Sequence, residues 1–99
     1  MSDTILQITM TELCQSHNIT QDLVVDIVEY GIAEPIEGDQ QDEWVFDSSA
    51  VHWLKKAISL NRELEIDWVG VAMVIELLRQ KEALLRENKN LHMLLERLS

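Results

Sequence analysis

The strongest constraint on the fold is a leucine that recurs every seven residues near the C-terminus, at Leu77, Leu84, Leu91 and Leu98. This spacing places the leucines on one face of an α-helix, which is typical of helices that pair along a seam. The companion positions of the repeat hold Val74, Lys81, Asn88 and Leu95. An Asn in such a position lowers stability but fixes the register and the number of paired helices. We therefore predict a homodimer whose seam is formed by Val74, Leu77, Leu84, Asn88, Leu91, Leu95 and Leu98.

The same helix has an alternative placement. Leu78 and Leu85 lie beside the seam and widen the apolar stripe. A wide stripe also suits packing against a globular body. The sequence leaves open whether the long helix pairs with a second copy or folds over its own domain.

Charge is divided unevenly between the two halves of this 99-residue chain, whose net charge is −10. Residues 1–54 hold eleven Asp and Glu and no Lys or Arg, whereas residues 55–99 hold eight cationic and seven acidic side chains. Nucleic-acid binding needs cations that neutralise phosphates, and an acidic surface is repelled by an anionic membrane. With no apolar run near the roughly 20 residues of a membrane span, we predict a cytoplasmic protein that contacts neither nucleic acid nor membrane directly.

Helix-end signals divide the N-terminal half into two short helices. The first is predicted over residues 8–18, because Thr9 and Glu12 have the spacing of a capping box and Asn18 suits a left-handed helix end. Thr20 is a good N-cap for the second helix, which ends at the next glycine. Two short helices joined by about three residues have the helix-turn-helix pattern.

A small β-hairpin, or wing, is predicted next, with the segments AEPIEG and DEWVFD flanking the polar tip GDQQD. Asp47 or Ser48 then caps a third helix. Asp67 caps the last and longest helix. The predicted fold is mainly α and a single domain: an acidic winged helix-turn-helix body over residues 1–66 and a long helix over residues 67–99.

Catalytic and cofactor sites have no support in the sequence. His17, His52 and His92 are too scattered to indicate a metal site, and no Gly-rich phosphate loop is present. The single cysteine, Cys14, lies on the apolar face of the first helix and is expected to pack as a small hydrophobe. We predict no enzyme activity and no cofactor.

The order of helix, helix, wing, helix and long helix resembles the DNA-binding domain of MerR-type regulators. The opening segment ITMTELCQSHNITQDLVVDIVEYGI carries the apolar, cap and Gly positions in the matching register. MerR-type proteins present Arg and Tyr to DNA from the second helix, where this chain has Val25, Asp26 and Ile27. The wing also lacks arginine, so the resemblance extends to the scaffold and not to its DNA-binding side chains.

A narrower resemblance covers nearly the whole chain. The segments WVFD, RELEIDWVGVA and LLRENKNL together are similar to the CbpM family of chaperone modulatory proteins. That resemblance implies an inhibitor that binds the J domain of a DnaJ-like co-chaperone of the CbpA type. The inhibitor would oppose the action of that co-chaperone on the DnaK chaperone and on DNA.

The acidic half supplies candidate residues for such a partner, because an acidic surface suits a basic helix of a J domain. The candidates are an acidic stripe on the second helix, Asp22, Asp26 and Glu29, and four wing residues, Glu37, Asp39, Asp42 and Glu43. Each group could instead be a solvated surface. The alternative function is a MerR-like transcriptional regulator that binds DNA weakly or through a partner.

Overall fold

Four α-helices and two short strands make up residues 7–98, the part of the chain that this computed structural model describes. In chain order they are β1 (Gln7–Thr9), α1 (Met10–His17), α2 (Gln21–Glu29), a 3-10 turn (Gln41–Glu43), β2 (Val45–Asp47), α3 (Ser48–Leu64) and α4 (Trp68–Leu98). The mainly α fold predicted from the sequence is confirmed.

The ends of α1 and α2 are set by the residues predicted to cap them. The Thr9 hydroxyl accepts a hydrogen bond from the Glu12 amide at 3.1 Å, and the Glu12 carboxylate accepts one from the Thr9 amide at 3.0 Å. Asn18 is left-handed, with a φ of 55°. The Thr20 hydroxyl accepts from the Leu23 amide at 3.3 Å. The capping interpretation is confirmed at each of these positions.

The wing is shorter than predicted. Glu37 and Val45 form a single β-bridge, in which the Val45 amide donates to the Glu37 carbonyl at 3.0 Å. β2 instead pairs along its length with β1, and Ile8 lies opposite Phe46 in antiparallel register. The prediction that helix α1 begins at residue 8 is therefore wrong, because Ile8 and Thr9 are extended and complete this small sheet.

Two aspartates begin the remaining helices. The Asp47 carboxylate accepts from the Ala50 amide at 2.8 Å at the start of α3, and the Asp67 carboxylate accepts from the Gly70 amide at 2.9 Å at the start of α4. Between them, Glu65 ends α3 in the left-handed conformation with a φ of 53°. The Asn61 side-chain amide donates to the Ile66 carbonyl at 2.7 Å and holds the connection in place.

The core lies between all four helices and β2. Its largest fully buried side chains are Phe46, Met10, Leu13, Ile27, Ile32, Leu54, Ile75, Val24 and Val71. α4 contributes only through its first turns, and every described residue from Gln80 onward is exposed. The radius of gyration is 16.3 Å, against about 13 Å for a compact domain of this length. The alternative in which the long helix folds over its own domain is therefore wrong for this part of the helix.

None of the described helices combines the length and the apolar character that crossing a bilayer requires.

Candidate functional site

The acidic stripe on α2 lies on the face opposite its core contacts. Val24 and Ile27 are fully buried, while Asp22 and Glu29 are exposed and Asp26 is half-buried. Within residues 7–98, no Lys, Arg or His side chain lies within ion-pair distance of these three carboxylates. The stripe therefore keeps its negative charge available to a partner.

The four wing acids Glu37, Asp39, Asp42 and Glu43 are all exposed. The backbone at Gly38 has a φ of +111°, and its Cα approaches the Glu43 carbonyl closely enough that a Cβ would lie 2.4 Å from that oxygen. This tight turn brings three of the acids, Glu37, Asp39 and Glu43, around one shallow hollow of about 310 Å³. Asp42 and the α2 stripe do not line that hollow.

A cleft that the sequence did not predict lies beside the chain that leaves α2. It encloses about 380 Å³ between that chain, the first turns of α3 and the middle of α4, and is lined by Gly31, Ala33, Glu34, Pro35, Ile36, Asp47, Ser49, Ala50, Trp53 and Arg79. Two of its walls carry carboxylates and its one cation is Arg79.

Arg79 connects α4 to both other sides of this cleft. Its guanidinium donates a hydrogen bond to the Ile32 carbonyl, and its guanidinium carbon lies 5.0 Å from the centroid of the Trp53 ring. In the sequence, the indication that Arg79 faces the body is its four-residue spacing from Ile75, which places both residues on the same face of α4. That spacing does not identify the partners of Arg79.

Cys14 packs in the manner expected from the sequence. Its side chain is half-buried against the core, with Sγ 3.8 Å from the Met10 sulfur. Burial raises the pKa of the Cys14 thiol above its ordinary value, which disfavours the nucleophilic thiolate. Among residues 7–98, no three His, Cys, Asp or Glu side chains are grouped to hold a metal ion.

The predicted seam lies along the exposed part of α4. Its leucines leave much of their surface in solvent, from 53% at Leu91 to 84% at Leu98, and Asn88 is also exposed. Val74 is half-buried near the body. A groove of about 380 Å³ runs between the first leucines of the seam and is lined by Leu77, Gln80, Lys81, Leu84, Leu85 and Asn88.

Comparison with known proteins finds one matching family model and relatives that share one name. Residues 8–93 match the model of the MerR HTH family regulatory proteins. The chain is 47% identical to the chaperone modulatory protein CbpM of Pseudomonas entomophila over 92 residues, which cover 92% of this chain and 90% of that protein. It is 36% identical to CbpM of Salmonella paratyphi B over 99 residues, which cover 100% of this chain and 94% of that protein.

The chain belongs to the CbpM family. The resemblance stated from the sequence is thereby confirmed, together with the MerR-like scaffold. The names of these relatives are those of a modulator and of regulatory proteins, and neither is an enzyme name. In this CbpM-family chain, Ile27 is fully buried and belongs to the core.

Proposed function

We propose that this protein is a chaperone modulator that binds the J domain of a DnaJ-like co-chaperone of the CbpA type. In this proposal it inhibits the action of the co-chaperone on the DnaK chaperone and on DNA, and it acts in the cytoplasm. Its CbpM-family membership supports the class of function. The observation that carries the proposed contact is the exposed acidic surface of α2 and the wing, which has no ion-pair partner within residues 7–98.

The charge distribution supplies a mechanism for recognition. A basic helix of the J domain is attracted to the carboxylates of α2 and the wing over a Debye length of about 8 to 10 Å. This attraction accelerates and orients the encounter, and buried apolar contacts then supply much of the affinity. Binding covers the J-domain surface that acts on DnaK, and inhibition follows by occlusion.

A titration of the isolated J domain tests this mechanism. Increasing concentrations of this protein should reduce the J-domain-stimulated ATPase rate of DnaK in step with binding, and association should slow as salt is raised. Tight binding without loss of stimulation would contradict occlusion. A salt-independent association rate would contradict the role of the acidic surface.

Variants that neutralise acidic side chains test which carboxylates accelerate association with the J domain. The double variant Asp22→Asn/Glu29→Gln removes two charges from the α2 stripe and should slow association. The double variant Glu65→Gln/Glu82→Gln removes the same charge from exposed positions elsewhere and serves as the matched control. Equal association rates for the two variants would exclude a specific role for the stripe.

We also propose that the exposed seam of α4 forms the homodimer. In this arrangement residues 1–66 provide the partner-binding body and residues 67–99 the pairing helix. The support is the run of exposed leucines on a helix that extends beyond the body. Two-fold symmetry would give the dimer two equivalent J-domain sites.

The match to MerR HTH regulatory proteins favours one second candidate, a transcriptional regulator that binds DNA weakly or through a partner. A gel-shift titration at low salt with the promoter of the co-chaperone gene distinguishes the two functions. A sequence-specific shift would support the regulator, and its absence would support the modulator.

A further inference from the structure

Large exposed apolar side chains are scarce outside α4. Among residues 7–98 they are Tyr30, Ile36 and Leu64, exposed by 47%, 45% and 55% respectively. Two of the three, Tyr30 and Ile36, lie only six residues apart in the chain that leaves α2. Tyr30 precedes Gly31, which lines the cleft beside Arg79, and Ile36 lines the same cleft. Among residues 7–54, both of the large exposed apolar side chains therefore belong to one seven-residue segment.

The segment that carries these side chains is held in a fixed conformation. Ile32 and Ala33, between them, are buried in the core. The Ile32 carbonyl accepts a hydrogen bond from Arg79, and the Ile36 amide donates to the Val45 carbonyl at 2.8 Å. A surface that is already ordered loses less conformational entropy when it binds a partner. Exposure of Tyr30 and Ile36 on such a segment is suited to recognition.

The surroundings of the two side chains are acidic. Glu29, Glu34 and Glu37 alternate with them along the segment and are exposed, and none is within ion-pair distance of a cationic side chain in the described chain. Arg79, the one cation that lines the cleft, is directed to the Ile32 carbonyl and the Trp53 ring. A segment that exposes both apolar side chains and carboxylates without an ion-pair partner is complementary to a basic amphipathic helix.

We propose that Tyr30 and Ile36 are the apolar anchors of the partner-binding surface, and that their occupant is a basic amphipathic helix of the J domain. This inference rests on the proposed function and adds the contact residues to it. On α4, the exposed Val69 and Met73 lie about two turns and one turn before Leu77. They lie on α4 and do not belong to the acidic surface.

Single polar substitutions test the anchors, because both side chains are already half-exposed and a serine should leave the fold intact. Tyr30→Ser and Ile36→Ser should each lower the affinity for the isolated J domain roughly tenfold. Leu64→Ser, at an equally exposed apolar position on α3, is the matched control and should keep the wild-type affinity. Affinity is measured by isothermal titration calorimetry, with circular dichroism and molar mass confirming that each variant is folded and assembled as the wild type.

Two outcomes would overturn the inference, and they differ in what they say about the function. If the wild type binds the J domain and the two anchor variants bind it equally well, the anchors are wrong and the modulator function remains. If the folded wild type does not bind the J domain, the proposed function fails and the anchors fail with it.

Discussion

The guanidinium carbon of Arg79 lies 5.0 Å from the centroid of the Trp53 ring, which joins the middle of α4 to α3 through a cation–π contact. The same guanidinium donates to the Ile32 carbonyl at the chain that leaves α2. One side chain therefore connects three parts of the fold at the place where α4 leaves the body. Beyond Arg79 the described helix is exposed, so this contact is the last that fixes the direction of the exposed helix.

Removing this connection should lower the stability of the body. We expect Arg79→Leu to reduce the free energy of unfolding by about 2 kcal/mol, because it loses a cation–π contact and leaves the Ile32 carbonyl without its charged donor. Arg79→Lys should recover part of the loss, since it keeps the charge and lacks the planar fork. Urea unfolding measures the change, and Arg86→Leu, an exposed position on the same helix, should change stability by under about 0.5 kcal/mol. Equal stabilities for the Arg79 and Arg86 variants would contradict this role.

The capping box of α1 should make stability depend on pH. The backbone and hydroxyl hydrogen bonds from Thr9 lower the pKa of Glu12 below its ordinary value of 4.5. A carboxylate with a depressed pKa stabilises the fold above its unfolded pKa, and the contribution is lost as pH falls through the folded pKa. The wild type should therefore be more stable than Glu12→Gln at pH 7, and the difference should narrow at pH 3. Urea unfolding at both pH values measures this difference in stability. A difference that does not change with pH would contradict a stabilising role for the ionised Glu12 carboxylate.

The two glycines of the acidic half should respond differently to alanine. Gly38→Ala should destabilise the fold by about 3 kcal/mol, because the site combines positive φ with a Cβ position only 2.4 Å from the Glu43 carbonyl oxygen. Gly31→Ala should cost about 1 kcal/mol, because its φ is +73° but no atom lies within 4 Å of the added carbon. Thermal unfolding of both variants tests this order, and the reverse order would show that the tight turn at Gly38 is not the constraint.

Local signals in the sequence predicted most helix boundaries and fewer of the connections between elements. Thr9, Asn18 and Asp47 act within four residues of the groups that they cap, so their roles can be inferred from spacing alone. The pairing of Ile8 with Phe46 joins positions far apart in sequence, and no local pattern predicts it. Glu65 ends α3 with a positive φ without the Gly or Asn that usually signals such an end.

The candidate site also has a part that local sequence predicts and a part that depends on contacts between distant segments. The exposed acids of α2 follow from helical periodicity, because the buried Val24 and Ile27 fix which face remains in solvent. The cleft beside Ile36 forms where the chain that leaves α2 meets α3 and α4 at Arg79, which is a tertiary arrangement. The partner itself was inferred from a family resemblance, since charge alone specifies only that a partner should be basic.

The exposure of the seam leucines allows a direct test of whether α4 pairs with a second copy. Leu84 and Leu91 are 65% and 53% exposed in the single chain, so glutamate at either position costs an isolated chain little. In a pair of helices the same substitutions bury a charge. We therefore expect Leu84→Glu and Leu91→Glu to convert a dimer to a monomer in sedimentation or light-scattering measurements, while the helical circular dichroism of the body is retained.

The matched control for the seam is Ala83→Glu, which adds the same charge to the same exposed stretch of α4 at a helical angle of about 100° from Leu84 and about 80° from Leu91. It should leave the molar mass of the dimer unchanged. If all three variants keep the dimer mass, the chains associate through another surface and the seam is wrong. If all three are monomeric, added negative charge along α4 is sufficient to separate the chains, and the leucines have no specific role. Only loss of the dimer in the two leucine variants, with its retention in Ala83→Glu, supports pairing through the seven-residue repeat.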